Sequence, residues 1–98
     1  MSSALDRFMG YIAIDTQSDE NSTSSPTTAK QFRLARLLAE EMHSIGVSNV
    51  RLDDRHCYVY GEIPANREGD IPSVGFIAHM DTSPAAPGNA SGARIHEN

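Results

Sequence analysis

Ser73-Val74-Gly75-Phe76-Ile77-Ala78-His79-Met80-Asp81-Thr82-Ser83-Pro84 is the stretch on which the reading of this chain turns. An apolar run of strand length ends in His79, Asp81 follows two residues later, and Pro84 halts regular structure. From Val74 to Ala78 both alternating faces are apolar or small, the pattern of a strand covered on both sides in a layered α/β domain. Pro72 has no backbone donor and belongs at a strand entrance or edge. Gly75 suggests a neighbour that approaches closely. In open α/β sheets, ligands gather outside the carboxyl ends of strands, which is where His79 and Asp81 fall. Imidazole is a good zinc ligand whose second nitrogen is normally held by a carboxylate or carbonyl. The plain alternative is a strand-end histidine paired with a turn aspartate. His-x-Asp occurs often by chance, so spacing alone leaves both readings open.

Working back from this stretch, Cys57 to Ile63 has strand character. Cys57, Val59 and Gly61 fall on one face, and Tyr58, Tyr60 and Glu62 on the other. A shorter strand lies within Val47 to Leu52, and Asp53-Asp54-Arg55 makes a turn between them, so the pair reads as a hairpin. Pro64 ends it, and Ala65 to Asp70 is a polar connection turning at Gly69. Before the hairpin, Thr27 or Thr28 caps a helix that reaches Ile45. Its apolar face is Phe32, Ala35, Leu38, Ala39, Met42 and Ile45, and Gly46 supplies the left-handed residue that ends it. Residues 18 to 27 are nearly all polar and read as a surface loop, opened by Asp15-Thr16-Gln17-Ser18. The first helix is capped by Ser2 or Ser3, carries Leu5, Phe8, Met9 and Ile12 on one stripe, and ends near Ile14. Beyond Asp81, Thr82 to Gly92 is a loop by composition.

Ninety-eight residues make at most one small domain with a modest core. Hydrophobic content of 39% without tryptophan is globular rather than disordered. The formal charge of -5, with basic residues scattered, argues against a nucleic-acid partner. Cys57 is the only cysteine, so no internal disulfide forms, and a reducing compartment fits. The start lacks a signal peptide's pattern, and no segment approaches the ~20 apolar residues of a membrane span. A soluble cytoplasmic protein without a membrane partner is expected. Ala93 to Asn98 carries no stop signal, and the chain reads as part of something longer.

The remaining chemistry-bearing residues have weaker claims. His43 sits off the apolar stripe and reads as a solvated surface residue. His56 sits at a turn beside Cys57; the neighbouring pair could be read as metal or thiol chemistry, but adjacent residues on a strand point to opposite faces, which favours the plain reading. Asp53 and Asp54 read as turn residues bonding their own backbone rather than an acid–base pair. Ser83 has no nucleophile elbow. Gly88 to Gly92 lacks the lysine of a phosphate loop.

Leu5-Asp6-Arg7-Phe8, Ile14-Asp15-Thr16-Gln17-Ser18, Gly69-Asp70-Ile71-Pro72 and Gly75 to Pro84 occur in that order. Together they closely resemble the beginning of the tripeptide aminopeptidases of the peptidase T family, within a clan of dinuclear-zinc exopeptidases and deacylases. The resemblance spans the whole chain but only roughly the first quarter of such an enzyme. It implies an α/β fold, the N-terminal part of a zinc-exopeptidase catalytic domain: two helices, a β-hairpin, then a buried strand ending in the ligand histidine. Residues 1–98 would be an incomplete segment of that domain, which in the family is interrupted by a smaller dimerisation or lid domain. His79 matches the first zinc ligand. Asp81 matches the catalytic-site aspartate that holds the histidine ring without binding metal. The implied cofactor is zinc, two ions per complete site, and the implied partner is a short peptide. A homodimer would form through the domain absent here. The bridging aspartate, the Glu-Glu pair, a further acidic ligand and the last histidine of the family have no counterpart in these residues. The chain as it stands should therefore be inactive, and should fold poorly alone. Two other readings stay open: another peptidase or deacylase of the same clan, and a non-catalytic α/β binding module in which His79 and Asp81 merely cap a strand.

Overall fold

The computed structural model describes residues 3–88 and 92–97. Four elements run in the order α1 (Ala4–Ile12), α2 (Gln31–Ser44), β1 (Ser48–Asp53) and β2 (Tyr58–Glu62). This is the expected sequence of two helices and a hairpin, a small α/β arrangement. Ser2, offered above as an alternative cap for α1, and residues 89–91 of the expected final loop lie outside the described residues.

Ser3 is the cap of α1. Its hydroxyl accepts from the Asp6 N–H at 3.1 Å, and the Asp6 carboxylate accepts from the Ser3 N–H at 3.2 Å. This reciprocal box satisfies two of the donors a helix start leaves open. The apolar stripe of α1 is poorly covered, with no α1 residue fully buried and Leu5 and Phe8 exposed. The Tyr11 hydroxyl donates to Glu41 and ties α1 to α2.

The second helix is capped two to three residues later than the expected Thr27 or Thr28. Its N-cap is Lys30, with no side-chain cap bond. Thr28 is otherwise engaged: its hydroxyl donates to the Gln17 carbonyl at 2.8 Å and accepts from Gln31 Nε2 at 2.9 Å. The buried face is also rotated from the expected one, with Gln31, Leu34 and Ala35 buried and Ile45 exposed. Apolar residues surround much of this helix, so the pattern alone does not choose which side meets the hairpin. The C-terminus follows expectation. Gly46 takes φ +87°, the Gly46 N–H donates to the His43 carbonyl at 3.2 Å and the Val47 N–H to the Met42 carbonyl at 2.9 Å. These two bonds are a Schellman termination, and it points the chain directly into β1.

The strands pair antiparallel with Leu52 opposite Val59 and Asp53 opposite Tyr58, and the register is interrupted between Ser48 and Arg51. The turn is built as the sequence implied. Asp53 Oδ1 accepts from the Arg55 N–H at 2.9 Å and the His56 N–H at 3.2 Å. Its carboxyl is held below the usual carboxylate range, first by the Arg55 N–H and then by the His56 side chain. Cys57 is buried while His56 is exposed, but neither lies on a strand: both are in the turn, Cys57 with φ +62°, and β2 starts one residue later than expected, at Tyr58. In β2, a Cβ at Gly61 would lie 2.6 Å from Val47 Cγ1 and 3.1 Å from Met42 Sδ. The hairpin thus lies against α2 without room for a methyl group at that point.

The expected buried strand at Val74 to Ala78 is not formed. Among the described residues, 63–80 contain no helix or strand, and the sheet consists of β1 and β2 alone. Val74, Phe76 and Ile77 are 78%, 95% and 101% exposed. Nothing lies within 4 Å of where a Gly75 Cβ would be, so the close neighbour expected there is missing as well. A doubly covered strand needs hydrogen-bonding neighbours at its edges and a packed layer on each face. Here β1 and β2 pair only with each other, and α2 is already packed on them. No described helix is long and apolar enough to cross a membrane.

Candidate functional site

His79 and Asp81 are brought together despite the unformed strand. His79 Nδ1 lies 3.0 Å from Asp81 Oδ1. With Nδ1–H donating, the ring tautomer is set and the Nε2 lone pair is left available. This is the arrangement in which a carboxylate orients a metal-binding imidazole. The hydrogen bond to the Asp81 side chain, reinforced by its backbone and its charge, raises the His79 pKa above the usual imidazole value. Protons therefore compete for this pair, as they do at any histidine ligand. The histidine side chain is 85% exposed and the aspartate 42%, so the ring projects outward and its partner lies nearer the body.

The pair borders an open, mainly apolar cleft of about 1040 Å³. Leu38 and Met42 of α2 line it together with Phe76 and Ile77. No group of three His, Cys, Asp or Glu side chains converges to hold a metal among the described residues. His79 thus fits a zinc ion as one ligand with a carboxylate behind it. A catalytic zinc normally takes at least three protein ligands, and the described residues do not complete such a set.

The pair is fixed to the body through Thr16, Gln17 and Ser18, in the stretch that opens the polar loop and forms one of the four segments of the resemblance. The Thr82 N–H donates to the Thr16 carbonyl at 3.2 Å and the Ser18 N–H donates to the Thr82 carbonyl at 2.9 Å. Gln17 and Thr82 thereby form an isolated parallel bridge. Thr16 is almost wholly buried. The close approach that requires glycine occurs here, at Gly88, where a Cβ would run into the Asp15 carboxylate and lie 2.9 Å from Gln17 Cβ. The available signal was the run of turn-forming polar residues Asp15 to Ser18, with the Gln17 amide among them. Nothing local identified Thr82 as their partner. The other candidates fall away: His43 is exposed on α2, and His56 stacks on Tyr58 at 6.0 Å while its Nδ1 meets Asp53.

No family model matches the chain. Individual proteins do. Peptidase T of Desulfitobacterium hafniense (strain Y51) is 50% identical over 98 residues, 100% of this chain and 23% of that protein. The chain is similar to peptidase T along its whole length. Peptidase T of Clostridium acetobutylicum is 49% identical over 88 residues, covering 90% of the chain and 21% of that protein. Peptidase T of Aliivibrio fischeri is 44% identical over an alignment of the same length. The chain spans less than a quarter of the length of these curated peptidase T relatives.

Proposed function

We propose that the chain is the N-terminal segment of the catalytic domain of a zinc-dependent cytoplasmic aminopeptidase, one that releases the first residue of short peptides, tripeptides among them. The observation that carries this reading is the 3.0 Å contact between His79 Nδ1 and Asp81 Oδ1, in a chain about half identical to proteins named peptidase T. In it, His79 Nε2 is one metal ligand. Asp81 holds the ring in place and keeps the proton on Nδ1. Bound zinc would supply an activated water for attack on the peptide carbonyl. The remaining ligands and the general base belong to other parts of the protein, as does the domain through which a homodimer would form. By itself the 98-residue chain is inactive and binds zinc weakly, because one imidazole cannot replace a set of three ligands.

The test uses a protein of the relatives' full length. His79→Ala should abolish tripeptide cleavage and reduce bound zinc, and unchanged activity would sink the assignment. Asp81→Ala should lower turnover severely in a protein that stays folded. Zinc titration of the 98-residue chain should show no tight stoichiometric binding. Tight binding would favour a complete small site in place of one corner of a larger one.

A further inference from the structure

Among the described residues, no hydrogen bond ties 63–78, the chain on the N-terminal side of the His79–Asp81 pair, to α1, α2 or the hairpin. The hydrogen-bonded hold comes from the C-terminal side, and it centres on Gln17. The Gln17 Nε2 amide donates to the Pro84 carbonyl at 3.1 Å and to the Ala86 carbonyl at 2.6 Å. These bonds fold residues 84–86 around the side chain, while the flanking backbone brackets Thr82 from both sides. The Ser18 hydroxyl adds a bond to the Thr82 carbonyl at 2.9 Å.

Gln17 is itself immobilised. Its N–H donates to Asp15 Oδ1 at 3.0 Å, and its carbonyl accepts from the Thr28 hydroxyl at 2.8 Å. The other oxygen of Asp15 meets Lys30 Nζ at 3.0 Å, at the start of α2. Asp15 is held below the usual carboxylate range first by the Gln17 N–H and then by Lys30. A continuous chain of bonds therefore runs from the N-cap of α2 through Asp15 and Gln17 to residues 82–86, immediately after the candidate site.

We propose that Gln17 is a positioning residue for the His79–Asp81 pair, acting through the carbonyls of Pro84 and Ala86 and the backbone of Thr82. This rests on the reading of that pair as a metal-binding corner. The chemistry requires an amide. A carboxylate of the same shape would place acceptors against two carbonyl oxygens, and a shorter or apolar side chain would leave those carbonyls without their donor.

The test again uses the full-length protein and a tripeptide substrate. Gln17→Met keeps reach and bulk, adds no charge and removes the donor; Gln17→Glu keeps the shape and replaces the donor with an acceptor. Both should lower kcat by about 10- to 100-fold, the range for losing a residue that supports a metal ligand. KM should change little, and the melting temperature should stay close to that of the parent. His79→Ala is assayed in parallel. If His79→Ala is inactive while Gln17→Met and Gln17→Glu have parental kcat, the site stands and the positioning role falls. If His79→Ala is active, both fall. Should one Gln17 variant fail to fold, the other decides. A loss confined to melting temperature, with kcat intact, would show Gln17 to be structural only and overturn the proposal.

Discussion

Tyr58 to Glu62 and Val74 to Ala78 have similar claims to be strands, yet only the first is one. Both are short runs rich in β-branched, aromatic or small residues, and each is led in or closed by a proline. The first finds β1 across a turn that Asp53 builds from its own neighbourhood, and α2 lies against its inner face at Gly61. The second pairs with no described strand and leaves Phe76 and Ile77 almost wholly in solvent. Strand character in a sequence is thus a statement about what a segment could bury. Whether it becomes a strand depends on pairing with another backbone, which here only β1 and β2 achieve, with each other.

The contrast can be broken first in the covered region. Leu34 of α2 is buried, and Leu34→Ala should cost about 2–5 kcal/mol, the usual range for truncating a core leucine. Urea unfolding of the chain followed by helix signal measures this, and a midpoint like the parent's would mean that α2 is not packed as described. A smaller effect is expected at the turn. The folded-state pKa of Asp53 lies below its ordinary value, so its contribution is present above the unfolded-state carboxylate pKa and is lost as pH falls through the folded one. Asp53→Ala should therefore unfold at lower urea than the parent at neutral pH, with the gap narrowing in acid. A gap that does not depend on pH would assign the effect to something other than the carboxylate. The smallest effect belongs to the uncovered stretch. Phe76→Ala and Ile77→Ala should each shift the stability of this chain by no more than about 0.5 kcal/mol, as for surface positions generally. A loss of several kcal/mol would mean that the stretch is buried after all.

Much of the architecture was legible because it rests on interactions within a few residues. The Ser3–Asp6 box, the Gly46 termination and the Asp53 turn each close over less than two helical turns of chain. The face of α2 was legible in part: Ala35 is buried as expected, while Gln31 and Leu34 join it and Ile45 is exposed, because apolar residues cover more than half of the helix and where the hairpin docks selects among them. The late start of α2 had a similar cause, since the expected cap Thr28 donates to Gln17, eleven residues away in sequence. In the candidate site, His79 and Asp81 were legible as a pair because two residues suffice to bring a carboxylate to an imidazole nitrogen.

Taken alone, the sequence settled the order of the two helices and the hairpin, a serine cap for α1, the Gly46 end of α2, the hairpin turn and the local pairing of His79 with Asp81, all through short-range geometry. Only the tertiary structure decided that Val74 to Ala78 stays without a sheet, and that Asp15 to Ser18 grips residues 82–88. Both outcomes depend on partners distant in sequence. An extended segment becomes a strand only where another backbone presents unpaired N–H and C=O groups. A polar loop becomes a clamp only where folding delivers carbonyls to its amide, as Pro84 and Ala86 are delivered to Gln17.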